Sequence, residues 1–182
     1  MRIVLLEKER WKGYILPMPQ YTAREHYAVS VERTPAGFAV SLERRPLPAP
    51  RTFTPGMYAS PDRLYADHFA DARAYGMFDG ETLAAVMELC PESWNNRMRV
   101  TELWVREGYR RRGLGSRLLA FAREEGRHEG RRALVLETQS CNTDAIAFYL
   151  HEGLSLIGLD TCCYSNEDIA RGEVRLELGA AL

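Results

Sequence analysis

Lysine is almost absent from this sequence of 182 residues. Lys8 and Lys12 are the only two, so the other 22 of its 24 basic residues are arginines. The 25 acidic residues nearly cancel this positive charge, which argues against a globally basic nucleic-acid binder. Because the arginine side chain binds phosphate and carboxylate through a planar fork, the balanced total still allows a local anion site.

Long hydrophobic runs and regularly spaced metal ligands are missing as well. No run approaches the ~18 apolar residues of a membrane span, and the first ten residues become charged too early for a secretory signal peptide. The four histidines are scattered, and the cysteines lack zinc-site spacing; they are Cys90, Cys141, Cys162 and Cys163. The sequence therefore predicts a cytoplasmic protein with free thiols, no metal ion and no membrane contact.

The first sixty residues predict a hairpin followed by a proline-rich segment. Residues 28–33 and 38–45 alternate around a Thr-Pro-Ala-Gly turn, as the strands of a β-hairpin do. The next segment contains Pro46, Pro48, Pro50 and Pro55. Because prolines exclude a helix and a central strand, this segment is either a linker between subdomains or, as we favour, a loop over a site.

The rest of the chain predicts a mixed α/β fold. Ser60 and Pro61 are typical of a helix start, and this helix is expected to run to about Ala74. A hairpin with an Asp-Gly turn, a strand, a helix, a buried strand, a second helix and two closing strands follow. They are expected at residues 74–89, 97–105, 113–130, 133–138, 142–152, 154–164 and 174–178. The strand–helix–strand succession implies a parallel strand pair with a crossover helix.

The segment from Val105 to Leu119, VREGYRRRGLGSRLL, is the most informative one. A strand ends here, three arginines and two glycines follow, and an amphipathic helix begins. Such a helix start attracts phosphate through its unpaired N–H groups and its dipole, and glycine lets the ligand approach closely. A Walker loop would need Lys before Ser116, and a dinucleotide fingerprint would need Gly in place of Leu118. A solvated arginine-rich turn is the alternative interpretation.

Two sequence blocks together resemble the GCN5-related N-acetyltransferase (GNAT) family. The first matches the acyl-CoA signature R/Q-x-x-G-x-G/A and reads Arg110-Arg111-Arg112-Gly113-Leu114-Gly115. The second is LETQSCNTDAIAFYLHEGL, in which the matching residues are Glu137, Asn142, Ala145, Phe148, Tyr149 and Gly153. The resemblance covers residue 74 to the C-terminus, and the details ESWNNR, LETQ, FY and EVRLEL are similar to streptothricin acetyltransferases within that family.

The resemblance implies an acetyl-CoA-dependent N-acetyltransferase that needs no metal ion. Its expected fold is a mixed, largely antiparallel sheet with a splayed parallel strand pair and flanking helices. We expect a single domain over residues 1–182, with a divergent N-terminal segment at 1–60 and the acyl-CoA-binding core at 74–182. The family reaction is direct attack of a primary amine on the thioester in a ternary complex.

The acceptor is expected to be a small-molecule amine, for which a streptothricin-like antibiotic is one candidate. A protein or peptide amine is the second candidate acceptor. A non-catalytic acyl-CoA sensor is the alternative from another functional class. Nucleic acid is not an expected partner, and a homodimer stays open.

The same resemblance assigns roles to individual residues. Tyr149 is expected to protonate the departing CoA thiolate, since a phenol remains protonated at neutral pH. Glu137 and Glu102 are the candidate general bases, with a water chain as the alternative. Cys141 is interpreted as a small buried hydrophobe in preference to a nucleophile. The residues expected to bind acetyl-CoA are Leu103, Trp104, Val105, Arg110, Arg111, Arg112, Gly113, Leu114, Gly115, Ser116, Asn142, Ala145 and Phe148.

Overall fold

Strand and helix patterns of the sequence correspond closely to the elements that form. A computed structural model describes residues 1–54, 57 and 61–182. In chain order the elements are β1 (Ile3–Leu6), α1 (Lys8–Trp11), β2 (Tyr21–Thr34), β3 (Gly37–Phe53), β4 (Arg73–Asp79), β5 (Thr82–Glu92), β6 (Arg97–Val105), a 3₁₀ turn (Glu107–Tyr109), α2 (Leu114–His128), β7 (Ala133–Gln139), α3 (Thr143–His151), β8 (Ser155–Asp160), α4 (Asp168–Arg171) and β9 (Arg175–Ala181).

These elements are divided between two compact units. The first unit comprises Met1–Pro19, Thr54–Leu136 and Ala180–Leu182. The second comprises Gln20–Phe53 and Glu137–Gly179. The chain therefore passes from the first unit to the second within β7. Over the described ranges, no helix is long and apolar enough to cross a membrane.

The first unit is built on strands in the order β1-β4-β5-β6-β7. All neighbours in this series are antiparallel except β6 and β7, which are parallel. α2 is the crossover helix between the two parallel strands, as the strand–helix–strand pattern predicts. The mixed, largely antiparallel fold class expected from the sequence is confirmed.

The parallel pairing between β6 and β7 is short. It runs from Arg97 beside Ala133 to Val100 beside Leu136, and no further pair follows in the described part of either strand. The last five residues of β6 continue beside β5 alone. This divergence is the splayed strand pair that the resemblance implies.

A β-bulge lies at the same level of β6. Leu89 of β5 faces Val100, but the preceding residue, Glu88, faces Glu102. Thr101 is therefore the extra residue of the bulged strand. The bulge shifts the register of every β6 residue that follows it.

Both faces of the first unit's sheet are covered. α2 packs against β5 and β6 on one face. Its buried residues are Leu114, Leu118, Leu119, Ala122 and Gly126. Val86 and Trp104 lie on the other face, where they belong to a core cluster with Leu16, Leu64 and Tyr65. The centre of β6 is thus sandwiched between the helix and an irregular N-terminal layer.

The prediction of a helix from Pro61 to Ala74 is wrong for the described residues. This segment forms turns, and the Leu64 N–H donates to the Tyr14 carbonyl at 3.0 Å instead of to a helical partner. Tyr65 adopts a φ of 56°, which is incompatible with a continuing helix. Ser60, the expected cap, lies outside the described residues.

The second unit contains a long antiparallel ribbon of β2 and β3. Pairing extends from Thr34 opposite Gly37 at the turn to Tyr21 opposite Phe53 at the base. The hairpin expected at residues 28–45 is therefore confirmed, and it is longer than expected. At the base, the Tyr21 and Phe53 rings stack with centroids 4.7 Å apart.

The prediction of a proline-rich loop is wrong over residues 46–50, because β3 continues through them. Glu25 pairs with Pro46 whereas Ala23 pairs with Arg51, so the chain between the two pairs bulges out of the regular ladder. Prolines are tolerated there, since an irregular edge stretch does not require their missing N–H groups. Pro55 lies outside the described residues.

Two further boundaries differ from expectation. Asp79 pairs with Thr82, so the β4–β5 loop consists of Gly80 and Glu81, with Gly80 at a φ of 58°. The strand expected to reach residue 164 ends with β8 at Asp160, where turns and α4 follow. β8 and β9 then form an antiparallel pair.

Candidate functional site

In the first unit, candidate residues form one continuous stretch from the end of β6 to the start of α2. Glu102 and Trp104 share one face of β6, and Leu103 and Val105 share the other. On the β7 side, no strand pairs with this stretch in the described chain. Backbone groups at this edge are therefore placed where the polar chain of a ligand could pair with them.

The turn after β6 is held by side chains. The Tyr109 hydroxyl donates to Asp79 at 2.9 Å, and the Arg112 guanidinium lies 5.2 Å from the Tyr109 ring centroid. The Arg110 Nε donates to the Val105 carbonyl at 3.3 Å. Arg111 adopts a φ of 59°. The three consecutive arginines remain exposed at the rim of this turn.

α2 begins with an open N-terminus. Gly113 occupies the cap position at a φ of 76° and makes no side-chain cap hydrogen bond. The first turn also contains no acidic residue. A Cβ atom built on Gly113 would meet nothing within 4 Å, so space is open above the helix start. The positive end of the helix dipole and the neighbouring arginines suit a phosphate or diphosphate.

In the second unit, Asn142 forms the start of α3. Its side-chain oxygen accepts the N–H of Ala145 at 3.4 Å, so Asn142 caps the helix. A cleft of about 200 Å³ lies beside it, between the base of the β2–β3 ribbon and the start of the helix. It is lined by Tyr21, Thr22, Ala23, Arg24, Glu25, Arg44, Cys141, Asn142, Thr143 and Asp144.

Tyr149 lies two turns into α3. It is half-buried, and its ring centroid is 5.4 Å from that of the half-buried Phe148. The Tyr149 carbonyl accepts the N–H of Leu154, which fixes the end of the helix at Gly153. The phenol is thus carried by a short helix that is capped at its start and closed at its end.

Glu137 is held by an ion pair. One carboxylate oxygen lies 2.5 Å from a guanidinium nitrogen of Arg175, which also contacts Glu177 at 3.2 Å. The interpretation of Glu137 as a salt-bridged carboxylate therefore has direct structural support.

Cys141 is buried among Ala23 and Phe53. Burial raises the pKa of its thiol to about 11, so the thiolate is scarce at neutral pH. This environment supports the interpretation of Cys141 as a buried hydrophobe. Among the described residues, no group of three or more His, Cys, Asp and Glu side chains could hold a metal ion.

Comparison with known proteins gives the family. The sequence model described as Acetyltransferase (GNAT) family matches residues 38–153. The chain belongs to this family. The matched range contains both resemblance blocks up to Gly153 and extends into β3, which the sequence motifs left unexplained.

The relatives that match this GNAT chain include a streptothricin acetyltransferase and a nourseothricin acetyltransferase. A streptothricin acetyltransferase of Streptomyces lavendulae is 32% identical over 97 residues, which are 52% of this chain and 51% of the relative. The chain thus spans about half the length of this curated relative. A solved nourseothricin acetyltransferase has a TM-score of 0.71 at 25% identity, with coverage of 99% and 97% of the two chains.

A second solved structure supports the fold alone. It is a Bacillus anthracis protein in complex with acetyl coenzyme A, with a TM-score of 0.71, 18% identity and coverage of 100% and 99%. The GNAT fold expected from the sequence is therefore confirmed over the length of both solved chains.

Sequence reasoning missed two features of the site region. The cleft residues Tyr21 and Glu25 lie in the part of the ribbon beyond the predicted hairpin, whose length the proline pattern concealed. The bulge at Thr101 was also missed, although Thr101 and Glu102 are consecutive polar residues that break the alternation of β6. That break was the available signal.

Proposed function

We propose that this chain is an N-acetyltransferase, acting as a single domain, that moves the acetyl group of acetyl-CoA to a primary amine. The observation that carries the proposal is the start of α2, which is open and preceded by arginines. It follows directly after the part of β6 that no longer pairs with β7. An anion could bind at the helix start, and a polar chain joined to that anion could pair with the backbone of β6. CoA has both parts, and family membership favours it over other phosphorylated ligands.

The binding roles follow from this arrangement. We assign the diphosphate to the N–H groups of Gly113–Ser116 and to the side chains of Arg110–Arg112. The pantetheine arm pairs with the backbone of Leu103–Val105. In the second unit, Asn142, Ala145 and Phe148 contribute the remaining contacts that the family motif predicts.

The chemistry requires three proton-handling or charge-stabilising groups. An alkylammonium with a pKa of about 10 must lose a proton before it can attack the thioester. We assign this base to Glu102, because it lies on β6 next to the Leu103–Val105 backbone proposed to bind the pantetheine arm; Glu137 and a water chain are the alternatives. The carbonyl oxygen becomes an oxyanion that accepts a hydrogen bond from the N–H of Leu103 or Val105.

Collapse of this intermediate forms the amide, releases one proton from the amine nitrogen and breaks the carbon–sulfur bond. The electron pair leaves with the CoA sulfur, and the Tyr149 hydroxyl donates the proton that neutralises it. The proton released by the nitrogen balances the one that Tyr149 donated, so the phenol is restored through solvent. Direct transfer fits the high pKa of the Cys141 thiol, which argues against an acetyl-cysteine intermediate.

The proposed acceptor is a small-molecule amine of the streptothricin type. Its support is the likeness to the Streptomyces lavendulae enzyme and to the solved nourseothricin acetyltransferase. A cytoplasmic location belongs to the same proposal and is supported by four free cysteines.

The deciding experiment measures CoA release with a panel of amines: streptothricin, polyamines, aminoglycosides and peptides. We expect turnover that saturates with a streptothricin, together with a product heavier by one acetyl group.

Tyr149→Phe is expected to lower kcat by roughly 100-fold while the Kd for acetyl-CoA stays nearly unchanged. Tight acetyl-CoA binding without turnover of any amine would indicate the sensor instead.

A further inference from the structure

Glu88 is a buried carboxylate for which the mechanism above has no role. It lies on β5 with 0% of its surface exposed. One oxygen accepts the backbone N–H of Tyr65 at 2.6 Å, and the other accepts the hydroxyl of Thr101 at 2.8 Å. Burial raises the pKa of this carboxyl, and both hydrogen bonds act in the opposite direction. A buried carboxylate that accepts two hydrogen bonds indicates a specific structural or functional role.

The Thr101 bond is located at the bulge of β6. Before the bulge, Leu89 faces Val100; after it, Glu88 faces Glu102 and Val86 faces Trp104. If the first register continued without the extra residue, Val86 would face Leu103 instead. Because a shift of one residue moves every following side chain to the other face, Glu102 and Trp104 would then point towards α2.

We infer that Glu88 and Thr101 are positioning residues whose hydrogen bond fixes the bulge and so selects the face of β6 on which Glu102 stands. The same bulge sets the direction of the Leu103 and Val105 backbone N–H groups. The inference rests on the proposed function, since it concerns how the proposed base and oxyanion donors are placed.

The second bond of Glu88 supports this interpretation. Tyr65 has a φ of 56°, an unusual conformation for a residue with a side chain, and its N–H points to Glu88. Its hydroxyl donates to the Leu6 carbonyl and accepts the N–H of Ala74 at 3.0 Å. One carboxylate therefore ties the bulge of β6 to the loop that covers the Glu102 face.

The test compares Thr101→Val with Thr101→Ser. Valine keeps the branched shape but cannot donate to Glu88, whereas serine keeps the hydroxyl. We expect Thr101→Val to lower kcat by roughly tenfold to a hundredfold, and Thr101→Ser to retain most of the activity. Thr52→Val is a matched control, because it removes a threonine hydroxyl bonded to Thr22 at 2.9 Å on the exposed ribbon.

Two readouts keep this inference separate from the proposed function. Amide hydrogen exchange of the β6 peptide is expected to become roughly tenfold faster in Thr101→Val and to remain unchanged in Thr101→Ser and Thr52→Val. Absence of turnover in the unmodified protein would contradict the proposed function. The hydrogen-exchange data would still show whether the Glu88–Thr101 hydrogen bond fixes the bulge. Thr101→Val with unchanged exchange, or with normal kcat at a temperature where it is folded, would overturn the inference.

Discussion

Two strand–turn–helix segments of this chain have the same order of elements and opposite chemistry at the helix start. Between β6 and α2, glycine occupies the cap position and provides no cap side chain, and three exposed arginines precede it. Between β7 and α3, Asn142 caps its own helix, and Glu137 is paired with Arg175. At the first helix start the cap residue makes no side-chain hydrogen bond, whereas at the second the cap residue accepts an N–H of its own helix.

The difference shows how local sequence divides roles between similar elements. A helix start with glycine in the left-handed region keeps its N–H groups open and offers no side chain that would cover them. A helix start with asparagine stabilises the helix that carries Tyr149. Substitutions in the first segment are therefore expected to affect mainly ligand affinity, and those in the second mainly catalysis or stability.

The largest effect is expected for Gly113→Val. A φ of 76° is strained for a branched side chain, which would also fill the open space above the helix start. We expect acetyl-CoA affinity, measured by titration calorimetry, to fall by roughly 1,000-fold, equivalent to about 4 kcal/mol. Gly130→Val is the control, because Gly130 follows the other end of α2 at a φ of 66° with equally open space. Normal affinity in Gly113→Val would remove this turn from the site.

A smaller effect is expected for the candidate bases. Glu102→Gln removes the proton acceptor without changing its size, and kcat should fall by roughly 100-fold at neutral pH. Glu137→Gln removes the negative charge from the ion pair with Arg175, whose two side chains are 26% and 40% exposed, and kcat should change by less than about threefold. Steady-state kinetics at saturating acetyl-CoA distinguishes the two. The reverse order of effects would assign the base to Glu137.

The smallest effect is expected for the cap of α3. Asn142→Ala loses the bond to the Ala145 N–H and should lower the free energy of unfolding by about 1 kcal/mol. Asn142→Asp can accept the same bond and should keep most of this stability. Urea unfolding of both variants without ligand measures the difference. Equal loss of stability in both would show that Asn142 does not stabilise α3 through its cap.

The sequence was sufficient for elements whose signal is local. The spacing of Leu114, Leu118 and Leu119 predicted α2, and Asn142 with Gly153 delimited α3. These patterns depend on residues within one or two turns of each other. The candidate site was predicted from the same local motifs, and most of its residues lie at the ends of these elements.

Features set by distant contacts could not be predicted in this way. The Ser60-Pro61 pattern indicated a helix, but residues from Pro61 onwards pair with the N-terminal segment, as in the contact of Leu64 with Tyr14. The prolines of β3 are accommodated because β2 loses its regular register opposite them. Likewise, the Glu88–Thr101 bond joins two strands, so its meaning appears only once their register is known.

The most direct test of the central claim compares acetyl-CoA with S-acetylpantetheine, which lacks the diphosphate and the nucleotide. If the open start of α2 binds the diphosphate, the unmodified protein should bind acetyl-CoA at least about 100-fold more tightly by titration calorimetry. In Gly113→Val this preference should nearly vanish, while Gly130→Val should retain it. Equal affinity of the unmodified protein for both ligands would contradict the assignment of this helix start as the anion site.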